Sequence, residues 1–301
     1  MKLTLQQIKV FATIARYGNL GLAANELCLS KGAVSQSLQE LERQLGTPLF
    51  DRIHPGLQLN NEGRLLQPAA EELLTRMQDI ENLFSPDAEP SGQLRLGASQ
   101  TIGNYLLPTL LANRKQELGL PPKVTITNTH KLCHALANFE LDLALIEGEN
   151  HHPDLIADPW LQDEMLVVAH PDHPLANQGI LTLPRLADET WVLRELQSGS
   201  REQFIQQIQP ALPRWQAGLE LNTLEAVMLA VEKGLGISFI SRLAVSDRLQ
   251  AGRLVVLPLG QRFPRQLSLI WHKQKYHSAS LRHFIHFCRA QVNDAEVIRA
   301  E

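Results

Sequence analysis

Two groups of residues in this 301-residue chain carry side chains suited to recognition rather than to packing. The first opens at Ser30 and continues with Lys31, Gly32, Ser35, Gln36 and Ser37. These are mostly short hydroxyls and amides, not the Glu/Lys mixture of an ordinary solvated helix face. Such groups can read base edges when the amino end of a helix enters a major groove. A generic helical hairpin with a polar surface has the same composition, so this face alone leaves both readings open. Arg52 follows in a turn-containing segment, where a guanidinium can meet a phosphate. The second group falls after short apolar runs further along the chain: Ser99, Gln100 and Thr101; Asn128 and Thr129; Arg194, Ser198, Ser200 and Arg201; Thr223. Hydroxyls, amides and arginines at helix starts suit a small anion. Each hydroxyl is also a plain N-cap, and the two arginines can instead bridge Glu195 and Glu202. Glu147 stands after another apolar run and pulls the opposite way electrostatically.

Catalysis finds no matching set. Glu147 and Glu149 lack the context of an acid/base pair, and His151-His152, His170 and His173 lack metal-ligand spacing. Neither a nucleophile elbow nor a Walker loop occurs, and Lys233-Gly234-Leu235-Gly236 follows a helical run, so Gly234 reads as a helix stop. We therefore expect no catalytic residue, metal or cofactor. Cys28, Cys133 and Cys288 are widely spaced and read as reduced core thiols. No apolar run approaches the roughly 18 residues of a membrane span, and Lys2, Gln6, Gln7 and Lys9 interrupt any secretory core. A cytoplasmic protein with no membrane contact is expected. Net charge is −4, but residues 1–60 hold six basic against four acidic side chains and the rest is acidic. That asymmetry permits a nucleic-acid-binding head on an acidic body.

The elements that position the first group are local and well punctuated. Leu5, Ile8, Phe11, Ala12 and Ala15 recur at helical spacing behind the capping pair Thr4 and Gln7, with a stop near Gly18. Leu22, Ala23 and Leu27 mark a short second helix. Ser30 caps a third, carrying Ala33, Val34, Leu38, Leu41 and Leu45 to Gly46. Pro48 to Leu59 then alternates around His54-Pro55-Gly56, as a two-stranded wing does.

These residues carry a family resemblance. Ala23-Ala24, Leu29-Ser30, Ala33-Val34-Ser35, Leu41-Glu42, Leu45-Gly46, Pro48-Leu49-Phe50-Asp51-Arg52 and Glu62-Gly63-Arg64 resemble the winged helix-turn-helix of LysR-type transcriptional regulators. Gly32 stands where that family usually has proline, and Asn60-Asn61 replaces the common end of the wing; Ser30 and Asn60 still cap their helices. The resemblance covers the full length. It implies double-stranded DNA and a small-molecule effector as partners, and a homodimer or homotetramer.

From Asn61 to about Phe84, Leu65, Leu66, Ala69, Ala70, Leu73, Met77, Ile80 and Leu83 or Phe84 form one stripe. Self-pairing of this linker helix is the simplest way to cover it, with docking on its own domain as the alternative. Residues 85–92 read as a hinge. Beyond it, strands at 93–98, 124–127, 143–146, 165–169, 191–193, 219–221, 237–240 and 267–271 alternate with helices, including 106–115, the segment ending at Phe139 and 278–291. Crossovers fall near His170 and Arg265. The expected organisation is therefore an α+β head over 1–60, a linker over 61–91 and an α/β effector domain over 92–301. Its two doubly wound subdomains are 92–163 with 267–291 and 164–266; the LysR resemblance implies that they are similar to periplasmic binding proteins and hold a small ligand in the cleft between them, and the residues gathered there lead us to expect an anionic effector. Two rivals remain: a solute-binding receptor, which shares the body but not the head, and an enzyme with an accessory head.

Overall fold

A computed structural model describes residues 3–53, 56–82, 93–113, 121–150 and 152–298. The expected hinge at 85–92, Leu83, Phe84, His54, Pro55, Lys115 and His151 lie outside the described residues. Among the described residues, no helix is long and apolar enough to cross a membrane.

The head consists of α1 (Leu5–Tyr17), α2 (Leu20–Glu26), α3 (Lys31–Leu45), and a wing of β1 (Phe50–Ile53) against β2 (Gly56–Leu59). Local chemistry sets its boundaries. Thr4 and Gln7 form a reciprocal capping box on α1, and Gly18 ends it at φ 60°. Ser30 Oγ accepts from Ala33 N at 3.1 Å, and Gly46 closes α3 at φ 75°. Val10, Phe11, Ile14, Val34, Leu41 and Leu49 fill the core. Leu57 N donates to Gly18 O at 2.8 Å, which pins the wing to the end of α1.

Asn60 caps the linker helix α4 (Asn61–Asn82), its Oδ1 accepting from Gly63 N at 2.8 Å. The single expected stripe divides in two. Leu66, Ala70 and Leu74 pack on the head core, whereas Leu65, Leu73 and Ile80 are exposed, at 80%, 45% and 60%. The helix also docks on the body: Glu71 lies 3.6 Å from Arg95, Gln67 Nε2 donates to Asn138 O at 2.8 Å, and Arg76 stacks over Tyr276.

The body begins with β3 (Arg95–Ala98), α5 (Gln100–Tyr105), α6 (Leu107–Ala112), β4 (Lys123–Ile126), α7 (Thr129–Ala137) and β5 (Leu143–Glu147). The helix expected from 106 is α6, which Pro108 opens in its first turn, and a further short helix, α5, precedes it from Gln100. β6 (Leu155–Ala169) follows, then β7 (Thr190–Arg194), α8 (Gly199–Gln207), β8 (Gln216–Leu221), α9 (Leu224–Glu232), β9 (Ser238–Ser241), α10 (Arg242–Gln250), β10 (Val255–Val256), β11 (Phe263–His272) and α11 (Ala279–Ile298). Gly234 follows α9 at φ 72°, as its reading as a helix stop requires.

The sheet runs β10-β6-β11-β5-β3-β4, with β9 also on β6. β6 and β11 are long antiparallel partners that belong to both subdomains. The first crossover thus precedes His170: Met165–Ala169 is only the apolar end, five residues, of a 15-residue strand. Asp158, Gln162, Asp163 and Glu164 mask the rest in the sequence, yet Asp158, Asp163 and Glu164 are paired with arginines. In the second subdomain, β7 and β8 are parallel partners, joined to β9 through Val192 N and Ile237 O at 2.9 Å. Two core clusters lie below and above the crossover, around Trp271 and Phe284 and around Trp191 and Phe204.

The cysteines do not share one environment. Cys288 is buried, but Cys133 is half-buried and Cys28 is exposed at the left-handed turn after α2, φ 53°.

Candidate functional site

On the head, Lys31, Gly32, Ser35 and Gln36 fall within an arc of roughly 140° around α3, opposite Val34, Leu38 and Leu41. Lys31, Gly32 and Gln36 are exposed, Ser35 is half-buried, and no side-chain partner holds any of them among the described residues. Ser30 is exposed but committed to its cap. Ser37 sits off the arc, half-buried at the edge of the core face. Arg52 projects from the wing strand β1 opposite Leu57, exposed.

The residues expected in the cleft lie where β3, β5 and β7 end and where α7, α8 and α9 begin. Several reach from one subdomain to the other. Gln100 Nε2 donates to Asn222 O at 3.1 Å, while its Oε1 accepts from Leu224 N at 2.7 Å. Asn128 caps α7 and donates from Nδ2 to Glu195 Oε1 at 3.1 Å. Thr223 and Ser198 are N-caps of α9 and α8. Thr129 Oγ1 donates to Glu147 O at 2.8 Å. Ser99 precedes α5 without capping it, and its hydroxyl is buried with no hydrogen-bond partner.

The two arginines differ. Arg194 is engaged, donating to Glu195 from Nε at 2.8 Å and Nη2 at 3.0 Å. Burial alone would raise the Glu195 carboxyl, but hydrogen bonds from Arg194 and Asn128 outweigh it and hold the group below the ordinary range. Arg201 is 5% exposed and lies over Phe204 and Trp215; its Nε and Nη1 have no hydrogen-bond partner, and burial lowers its pKa. Beside the cleft, between α7 and α8, a cavity of about 580 Å³ is lined by Thr129, Cys133, Leu196, Ser198 and Ile205, among others.

Below these residues lies a group that the motif reading overlooked. Arg265, with a fully buried side chain, donates to Asp163 Oδ2 at 2.8 Å and to Thr101 Oγ1 at 3.2 Å, and stands 3.3 Å from Glu147 Oε2. Ser241 Oγ donates to Asp163 at 2.7 Å. The available signal was alternation: in β11, Phe263, Arg265 and Leu267 share the core face, so a charge there demands partners. Glu147 is held close to α8. A Cβ on Gly199 would come within 2.3 Å of Glu147 O, so only glycine lets the helix start approach this near.

A three-helix head with a two-stranded wing, joined by one long helix to two crossover-linked α/β subdomains, is an arrangement found in known proteins. Residues 5–64 match the family model for bacterial regulatory helix-turn-helix proteins of the lysR family, and residues 87–293 match the LysR substrate binding domain. The chain belongs to the LysR family of transcriptional regulators. Members bind DNA through the head and small-molecule effectors through the body; the family is one of regulators, not enzymes.

A regulator of Escherichia coli K12 described as the uncharacterized HTH-type transcriptional regulator YeiE is 42% identical over 294 residues, covering 96% of this chain and 98% of that protein. Among solved structures, a full-length OxyR variant from Pseudomonas aeruginosa superposes with TM-score 0.76 at 24% identity, covering 97% of this chain and 95% of its own. This LysR-family chain is also similar to the regulatory domain of CcmR from Synechocystis PCC6803, in complex with 2-PG, at TM-score 0.63 and 26% identity. That match covers 67% of this chain and 98% of the other.

Proposed function

We propose that this LysR-family regulator reads its operator through Lys31, Ser35 and Gln36 of α3 and grips phosphate through Arg52. The observation that supports this is the unpartnered polar arc on α3, beside a wing whose arginine is also unengaged. Ser30 and Gly32 act by shaping the helix start, and Ser37 lies at the margin of the contact. A chain that works on chromosomal DNA works in the cytoplasm.

The exposed stripe of Leu65, Leu73 and Ile80 supports pairing of two α4 helices in a homodimer. Two heads on two half-sites multiply the phosphate contacts of one. A tetramer would be built from two such dimers.

The cleft is read as the site of a small anionic effector. Supporting this are Arg201 with two unpaired nitrogens, the start of α8 at Ser198 to Ser200, the unpaired Ser99 hydroxyl, and the 2-PG bound by the CcmR regulatory domain. Gln100, Thr101, Asn128, Thr129 and Thr223 frame the site, and Arg194 stiffens it through Glu195. An effector alters DNA binding only by favouring one subdomain arrangement over another. The deciding experiment is footprinting on the DNA upstream of the gene over a salt series, with and without carboxylates and inorganic oxyanions. A footprint insensitive to salt would defeat the operator assignment; a body stabilised only by neutral or cationic compounds would defeat the anion assignment.

A further inference from the structure

Three polar atoms in the crossover cluster are buried without a hydrogen bond: Ser99 Oγ, Arg265 Nη1 and Glu147 Oε2. Their residues are 1%, 4% and 2% exposed. A buried polar atom left unpaired carries a desolvation penalty, so such groups cluster where a further partner is due. Their chemistry is mixed. Arg265 Nη1 is a donor, Glu147 Oε2 is an acceptor, and the Ser99 hydroxyl is both.

Two relationships sharpen this. Arg265 donates to Thr101 Oγ1, which leaves the Thr101 proton free to donate onward. The Thr129 proton, by contrast, is committed to the Glu147 carbonyl. The carboxylates here are already matched to two arginines: Arg194 pairs with Glu195, and Arg265 stands between Glu147 and Asp163. A fully deprotonated anion would meet donors from Thr101, Ser99 and Arg265, but it would also meet the Glu147 carboxylate with nothing to offer it. A carboxylate in an oxyanion site tolerates only a ligand that brings its own proton.

We infer that the cleft selects an anion carrying a hydrogen-bond donor next to its negative group, a protonated oxyanion or a hydroxy or amino acid, and that Glu147 is the residue that makes this selection. The donor meets Glu147 Oε2, and the anionic oxygens meet Arg265 Nη1 and the Ser99 and Thr101 hydroxyls. This rests on the anionic-effector reading and narrows it.

The test uses the full chain and two matched probe pairs near pH 7: inorganic phosphate against sulfate, which share a tetrahedral shape and differ in whether a proton remains, and glycolate against acetate. Apparent affinities come from the rise in thermal midpoint with concentration. The expected result is that at least one donor-bearing probe binds roughly tenfold or more tightly than its donor-less match, because a site built around a donor rejects an analogue that lacks it. Glu147→Gln, nearly isosteric, supplies an amide donor and should erase that preference by admitting the donor-less probe, with an unliganded thermal midpoint close to that of the parent chain showing that the variant folds. If sulfate or acetate binds as well as its match, or if Glu147→Gln keeps the preference, the donor requirement is wrong while the anion reading stands. If no probe of either pair shifts the midpoint, both fail.

Discussion

Gln100 reaches across the cleft and adds to the Thr223 cap at the start of α9, accepting from Leu224 N at 2.7 Å while donating to Asn222 O at 3.1 Å. One amide thus joins the end of β3 in the first subdomain to the loop between β8 and α9 in the second.

Gln100→Ala removes both bonds without creating a cavity. Each is worth about 0.5–1.5 kcal/mol net. The expected outcome is a body destabilised by about 1–3 kcal/mol in urea titration, with unchanged operator binding by the head. An unchanged urea midpoint would show that the subdomains do not depend on this contact.

Arg265→Met should be far more damaging, by about 3–5 kcal/mol, because Asp163 and Glu147 stay buried without their counter-charge. Asp163→Asn in that background should recover part of the loss, and chemical denaturation of the pair measures the coupling. Purely additive effects would contradict a shared cluster.

Acid should loosen the contact between linker and body. Burial would raise the Asp142 carboxyl, but Lys275 and Arg95 outweigh it and hold the group well below the usual carboxylate range. The unfolded chain therefore binds this proton first as pH falls, and the stabilisation present at neutral pH is lost progressively below about pH 4. His272 and His277, pushed down by burial, add an earlier loss as pH falls through the ordinary imidazole range near 6.5. Asp142→Asn should flatten only the lower limb of the stability–pH curve.

Gln36→Ala should relax base preference by about 1–3 kcal/mol at one operator position. Arg52→Ala should weaken all sequences alike and reduce the salt slope by about one. Quantitative binding to matched and scrambled operators separates the two effects.

Leu73→Glu places a charge in the exposed stripe of α4. Sedimentation should show dissociation, with weakened binding to a two-half-site operator. An intact dimer with normal binding would move the subunit contact elsewhere.

The legible parts of this chain were those encoded by neighbours. The caps at Thr4, Ser30 and Asn60 and the stops at Gly18 and Gly46 act within a few residues, so the head could be read from spacing. Strand-and-helix alternation likewise announced the two α/β subdomains. The cleft was harder, because its wiring is long-range: Arg265 meets partners 102 and 164 residues away. Arg194 reads from the sequence either as a ligand group or as a partner of Glu195, because nothing there shows Asn128 steadying that carboxylate. The linker stripe read as one face because apolar side chains at helical spacing do not say which turns a neighbouring helix covers.

The docking of α4 on Arg95 and Asn138 carries a mechanical consequence. Arg95 begins β3, and Ser99 follows its end; Asp142, which holds Arg95, precedes β5, and Glu147 closes it. A four-residue strand is roughly 13 Å long. The linker contact and the proposed effector site therefore lie at opposite tips of the same two short, stiff rods, so an axial push at one tip would reach the other without passing through any loop.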